Sequence, residues 1–189
     1  NFMTVQILLA SYKCEQFIST QLDSIQSQRD VSVSVLISDD VSANGCRTFL
    51  EGLPFWESSK ADVMVMDGPQ CGVNANFLAL LHAARSRTGD WYAFSDQDDV
   101  WLEDKLAVAV ARAESELSSG PVLYAGRTWV CDTQLNRLFL SKGMNRPAGF
   151  CNALLESIAG GNTMVFDSKT LKLLKRVNVA VHHDWLTYM

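Results

Sequence analysis

The residues best suited to chemistry are Asp96-Gln97-Asp98-Asp99, which follow the apolar run Trp91-Tyr92-Ala93-Phe94-Ser95. Carboxylates packed this closely repel one another unless a cation or hydrogen-bond donors intervene. Hard divalent cations take oxygen ligands of this kind, and Mg2+ characteristically binds one or two carboxylates together with substrate phosphates. Two other chemically unusual groups also follow apolar runs: Ser11-Tyr12-Lys13 after Val5–Ala10, and Asp39-Asp40 after the alternating stretch Val31–Ile37. An aromatic ring, a carboxylate that accepts from a base or ribose, and an acidic pair for a metal would together hold a nucleoside diphosphate. Neither Gly-x-Gly-x-x-Gly nor Gly-x-x-x-x-Gly-Lys-Ser/Thr occurs, so the two usual ways of cradling phosphate with backbone amides are missing. In an acidic chain, Mg2+ or Mn2+ held by carboxylates is the physically available substitute.

The elements that must position these groups alternate along the chain. Val5–Ala10 reads as a strand, and Ile18, Leu22 and Ile25 recur at helical spacing through Ser27. Val31–Ile37 has the period of a strand, Asn44-Gly45 punctuates, and Cys46–Leu53 forms a short helix. Ala61–Met66 is a third strand, Phe77, Leu80, Leu81 and Ala84 mark a helix opened by Gly72 and Asn74, and Trp91–Ser95 is a fourth strand. Leu102, Leu106, Ala109, Ala113 and Leu117 predict the next helix. Such alternation favours an α/β fold with a mostly parallel, Rossmann-like sheet flanked by helices. Ligands then bind beyond the carboxyl ends of the strands, where the acidic groups lie. The second half is less regular. Val122–Cys131 is expected to be one strand with Leu138–Leu140 as its hairpin partner, a small antiparallel element. Lys142–Gly149 is a polar loop, Ala153–Ile158 a short helix, Asn162–Phe166 a strand, and Ser168–Val177 a helix capped by Asp167 or Ser168.

A chain of 189 residues with 48% hydrophobic content predicts one domain with a sizeable core. The net charge of -5 argues against nucleic acid as a partner. The 5 cysteines are widely spaced without a Cys-x-x-Cys pair, which predicts reduced thiols in a cytosolic protein. No early apolar run is long enough for a signal segment or a membrane span.

In combination and order, several segments resemble the family-2 glycosyltransferases of the GT-A fold. They are Leu9-Ala10-Ser11-Tyr12, Ser38-Asp39-Asp40 with Ser42, the stretch from Gly72 to Asn76, Gly160-Gly161-Asn162 and His183-Asp184-Trp185. Phe94-Ser95-Asp96-Gln97-Asp98-Asp99-Val100-Trp101-Leu102 followed by Asp104-Lys105-Leu106 looks most like the bacterial rhamnosyltransferase-like members. The resemblance implies inverting transfer of a sugar, rhamnose in those members, from a nucleotide-diphosphate donor. The acceptor would be a saccharide or a lipid-linked saccharide in cell-surface polysaccharide synthesis. It implies that Ala10, Tyr12 and Asp39 hold the nucleotide base, that Asp96 lies near the ribose, that Asp98 binds the divalent cation, and that Asp184 is the general base. Gly160-Gly161 matches a small-residue turn where side chains would block the sugar. Residues 1–120 would form the nucleotide-sugar half of a single domain and 121–189 the acceptor side. The natural protein is expected to continue past Met189, which is where peripheral membrane association would reside, and to work in the cytoplasm at the inner face of the membrane. Two features depart from the family pattern: Ala10 stands where Ser or Thr is common, and Val41-Ser42 replaces a glycine-serine turn.

Plainer roles compete for several residues. Asp99, placed just before a helix expected near Val100, suits an N-cap better than a metal ligand. Asp40 reads equally as a turn residue, Tyr12 competes as a half-buried ring, and Trp101 and Trp185 read as packing residues. His182-His183 lacks the spacing of a zinc pair. The competing functions are a non-catalytic nucleotide-sugar-binding module and a haloacid-dehalogenase-type phosphatase. The phosphatase places its Asp-x-Asp after the first strand, whereas Asp96 here follows the fourth.

Overall fold

A computed structural model describes residues 3–40, 46–52, 62–87, 90–115, 119–143, 159–178 and 182–188. The expected Asn44-Gly45 turn, the helix at Ala153–Ile158 and most of the loop at Lys142–Gly149 lie outside them. The elements are β1 (Met3–Ser11), α1 (Ile18–Gln26), β2 (Val31–Asp39), α2 (Cys46–Glu51), β3 (Asp62–Asp67), α3 (Val73–Ala83), β4 (Trp91–Ser95) and α4 (Lys105–Ser115). They continue with β5 (Leu123–Ala125), β6 (Trp129–Cys131), β7 (Arg137–Leu140), a 3-10 turn (Gly161–Thr163), β8 (Met164–Asp167), α5 (Ser168–Leu174) and α6 (His183–Tyr188).

One 6-stranded sheet runs in the order β3-β2-β1-β4-β8-β5. Strands β3, β2, β1 and β4 are parallel, whereas β8 pairs antiparallel with both β4 and β5. The alternating side chains of β1 explain the layering. Val5, Ile7 and Leu9 join Ile18, Leu22 and Ile25 of α1 and Leu106, Ala109 and Val110 of α4 on one face. Leu8 and Ala10 join Phe77, Leu80 and Leu81 of α3 and Leu171 and Leu174 of α5 on the other. A strand covered on both sides reads as a continuous apolar run, as β1 and β4 do. Burying each such side chain stabilises by about 1.5–3 kcal/mol relative to leaving it exposed. Helix α5 is capped by Asp167, whose carboxylate accepts from the Thr170 amide at 2.9 Å.

Three expectations are corrected. The strand expected over Val122–Cys131 is two: β5 closes the main sheet, while β6 leaves it to pair with β7 in a separate hairpin. The helix expected from Leu102 begins at Lys105, because Trp101 turns into the core, at 6% exposed, while Leu102 lies 55% exposed. Cys14, buried beside β1, is disulfide-bonded, whereas Cys71 and Cys131 are free thiols, so the cysteines are not uniformly reduced. Among the described residues no helix is long and apolar enough to cross a membrane.

Candidate functional site

The strand order reverses direction between β1 and β4, the position at which a doubly wound sheet opens a crevice at its carboxyl edge. A cavity of about 560 Å³ lies there, and Ala10, Tyr12, Asp96 and Asp98 all line it. Ala10 sits opposite Ser38, one residue before the end of β1. Tyr12 stands 51% exposed at the rim, with part of its ring open to the cavity. Asp96 is half-buried and Asp98 exposed. Asp39 is buried beneath this edge opposite Ser11, whose hydroxyl donates to its carboxylate at 3.2 Å. Burial raises the Asp39 pKa, the Ser11 bond lowers it, and Glu15, Asp40 and Asp67 raise it further. The lining position next to it is taken by Asp40. Asp184 follows His183 in the first turn of α6, and its side chain lies outside the described residues.

Three residues to which the resemblance assigned no role hold this site together. Gln97, the middle residue of Asp-x-Asp, is latched across the crevice: the Tyr12 amide donates to its Oε1 at 2.8 Å, and its Nε2 donates to the Tyr12 carbonyl at 2.9 Å. The ends of β1 and β4, and with them the ring and the acidic pair, are thereby kept in register. Asp40 accepts from the amides of Gln70 at 2.5 Å and Gly72 at 2.9 Å, which folds the segment ahead of α3 over the cavity. Its competing reading as a turn residue describes those contacts, although it also lines the cavity. Asn76 donates to the Ser38 carbonyl at 2.9 Å, tying α3 to β2. The chain packs so tightly here that a Cβ on Gly68 would lie 2.8 Å from the Asp40 Cα and 2.9 Å from the Asp39 carbonyl oxygen. Amides such as Gln97 and Asn76 give no periodic or charge signal, so nothing in the sequence pattern marks them.

Behind Asp98 the acidic run meets the 3-10 turn. Asp99 is not a helix cap: its carboxylate accepts from Asn162 Nδ2 at 2.7 Å. Burial raises its pKa, the Asn162 bond and Lys105 lower it, and Asp98 raises it. Lys105 donates from Nζ to the Asn162 carbonyl at 2.6 Å, with the ammonium 3.3 Å from the centre of the Trp101 ring. Enclosure of that ammonium lowers its pKa to about 7, against the opposing pull of Asp99 and Asp96. The unfolded chain therefore holds a proton that the folded chain gives up between pH about 7 and the ordinary value of 10.5. This group makes stability rise with pH across that window, by at most about 1.4 kcal/mol per pH unit for one proton. Below the window the folded state bears the full cost of the enclosed charge. Lys105→Met is expected to flatten this slope in urea unfolding measured from pH 7 to 10.

A second cavity, of about 760 Å³, adjoins the first at Asp98 and is lined by Trp101, Arg127, Trp129 and Arg137 among others. Among the described residues no three of His, Cys, Asp and Glu form a preformed metal cage. The donor set instead fits a cation that draws part of its shell from a ligand: half-buried Asp96 and exposed Asp98 offer carboxylate oxygens at the cavity wall, and diphosphate oxygens and water would complete the coordination.

A model described as Glycosyl transferase family 2 matches residues 6–173. The dTDP-rhamnosyl transferase RfbG of Shigella flexneri is 33% identical over 102 residues, which are 54% of this chain and 35% of that protein. The UDP-Glc:alpha-D-GlcNAc-diphosphoundecaprenol beta-1,3-glucosyltransferase WfgD of Escherichia coli is 28% identical over 57% of this chain and 40% of its own length. The chain thus spans well under half of either relative. Among solved structures, S. aureus TarS 1-349 in complex with UDP-GlcNAc superposes with a TM-score of 0.64 at 14% identity, covering 98% of this chain and 53% of that one. The mannosyltransferase PcManGT from Pyrobaculum calidifontis, in complex with GDP-Man and Mn2+, superposes with a TM-score of 0.61 at 19% identity, covering 95% of this chain and 50% of that one. These two likenesses bear on the fold.

Proposed function

The chain belongs to glycosyl transferase family 2, and from that premise we propose that it binds a nucleotide-diphosphate sugar in the crevice between β1 and β4 and transfers the sugar with inversion. The observation that carries this reading is the joint lining of one cavity by Ala10, Tyr12, Asp96 and Asp98. Tyr12 and Ala10 would receive the base, with Asp39 behind them, and Asp96 the ribose. Asp98 with Asp96 would hold Mg2+ or Mn2+, and such an ion, when bound, offsets charge on the diphosphate. The Asp184 carboxylate would take the proton from an acceptor hydroxyl while that oxygen attacks the anomeric carbon. The bond from that carbon to the diphosphate oxygen then breaks on the opposite face, and the nucleoside diphosphate leaves.

The donor half would be residues 1–120 and the acceptor half residues 121–189, with the cavity beyond Asp98 taking a saccharide or lipid-linked saccharide. Aromatic rings interspersed with carboxylates and guanidinium groups suit a polyhydroxylated ligand. Rhamnose is supported by the RfbG relative, and a metal by the neighbour bound to GDP-Man and Mn2+. Such a donor belongs to the cytoplasm, and a lipid-linked acceptor would draw the protein to the inner face of the membrane. The phosphatase alternative is set aside by the family match.

Calorimetric titration with UDP, dTDP and GDP, each with and without Mn2+, tests the donor assignment. One diphosphate is expected to bind with an affinity that Mn2+ raises, dTDP if the donor is dTDP-rhamnose. Absence of binding for all three would overturn the assignment of this crevice.

A further inference from the structure

The 3-10 turn contacts both halves of the reacting assembly, and its second contact is with the helix that carries Asp184. A Cβ on Gly161 would overlap Nε2 of His183 and come within 3.0 Å of its Cδ2. The imidazole cannot easily yield, because it lies between other elements: it stacks on Phe77 with ring centroids 3.7 Å apart and meets Phe94 edge-on at 5.1 Å. Phe77 and Phe94 are fully buried and in contact with each other at 5.4 Å. Walls from α3, β4 and the turn therefore surround one ring. Phe94 is two residues before Asp96, so the slot is built on the strand that delivers the acidic pair. Helix α6 is far too short to persist by itself, since isolated helices shorter than about 12–15 residues are marginal in water. Its first turn is fixed by the seated ring, by the Leu186 amide donating to the His182 carbonyl at 2.9 Å, and by Thr187 Oγ1 donating to the His183 carbonyl at 2.6 Å.

We propose that His183 is a positioning residue whose ring, seated in a slot formed by Phe77, Phe94 and Gly161, fixes the first turn of α6 and thereby aims Asp184. Gly161 is glycine to admit the ring; the family resemblance assigned the small residue to sugar clearance instead. The inference rests on the reading of Asp184 as the base. A displacement of about 1 Å in a reacting group can cost about 10²-fold in rate. His183→Ala and Gly161→Ala are each expected to lower kcat by about 10- to 100-fold, leaving donor KM and nucleotide affinity unchanged. His183→Phe, which keeps a flat ring in the slot, is expected to restore most of kcat.

The double variant Gly161→Ala/His183→Ala separates the two roles for the glycine. With the ring gone the methyl has room, so the double variant is expected to be no slower than His183→Ala alone. Additive losses with a raised acceptor KM would overturn the proposal in favour of sugar clearance. Unchanged kcat in His183→Ala, alongside a loss in Asp184→Asn, would overturn the positioning role while leaving the base assignment intact. Transfer retained by Asp184→Asn would remove the base and the inference with it. If Gly161→Ala does not fold, the contrast between His183→Ala and His183→Phe decides alone: equal rates overturn the proposal.

Discussion

Asp98→Ala is expected to lower transfer by about 10³-fold and to remove the Mn2+-dependent part of nucleotide binding. Removing one preorganised group that stabilises transition-state charge typically costs about 10²–10³ in kcat. Here the same carboxylate would also help to retain the cation, which places the loss at the upper end. Asp98 is exposed where the two cavities meet, so its removal should cost the fold little. Activity should therefore fall without a change in the unfolding midpoint. Measuring transfer and nucleotide affinity across a Mn2+ series checks both parts. A variant that keeps the wild-type metal dependence would sink the assignment of Asp98.

Asp184→Asn is expected to reduce kcat by about 10²–10⁴-fold, the usual worth of a positioned general base. Asparagine preserves size and hydrogen bonding but cannot take the acceptor proton. The proposed nucleotide crevice is built from β1, β4 and the segment before α3, so donor affinity and its metal dependence should survive. This split, chemistry lost and donor binding kept, differs from the pattern expected for Asp98→Ala, in which transfer and metal-dependent nucleotide binding fall together. Single-turnover transfer together with calorimetry on the same preparation would show it, and near-normal transfer would rule Asp184 out as the base.

The parallel half of the fold was readable because its strands are short apolar runs closed by polar residues. Trp91–Ser95 is β4 residue for residue, and the stripe Phe77, Leu80, Leu81, Ala84 marks the face that α3 buries, with Ala84 just past its last turn. Periodicity failed where one pattern serves two partners. Val122–Cys131 holds two apolar runs, Val122–Ala125 and Trp129–Cys131, around Gly126-Arg127-Thr128, and nothing in that pattern tells that β5 pairs with β8 while β6 pairs with β7. It failed again at Leu102, whose spacing fits a helix although the chain there is still turning to bury Trp101. That error carried Asp99 with it, since a helix placed too early turns the preceding carboxylate into an apparent cap. In the site, the acidic pair and Tyr12 were legible from their place after apolar runs. Gln97, Asn162 and Lys105 were not, because their meaning lies in contacts with residues distant in sequence.

The antiparallel course of β8 brings the 3-10 turn to the sheet edge that carries the acidic run, because it puts the start of that strand, rather than its end, beside the end of β4. Trp91 pairs with Asp167 and Ala93 with Val165, so Asn162 emerges next to the acidic run. It follows that the proposed donor and acceptor portions are not interchangeable modules. A fragment ending at residue 120 would leave one edge of β4, every residue of which is buried in the intact sheet, without its neighbour. Exposed apolar edges of that kind invite pairing with other chains, so such a fragment is expected to aggregate in size-exclusion chromatography. Recombining this donor portion with a foreign acceptor portion would have to transplant β5 and β8 as part of the graft, making the natural seam for engineering lie within the sheet rather than between lobes.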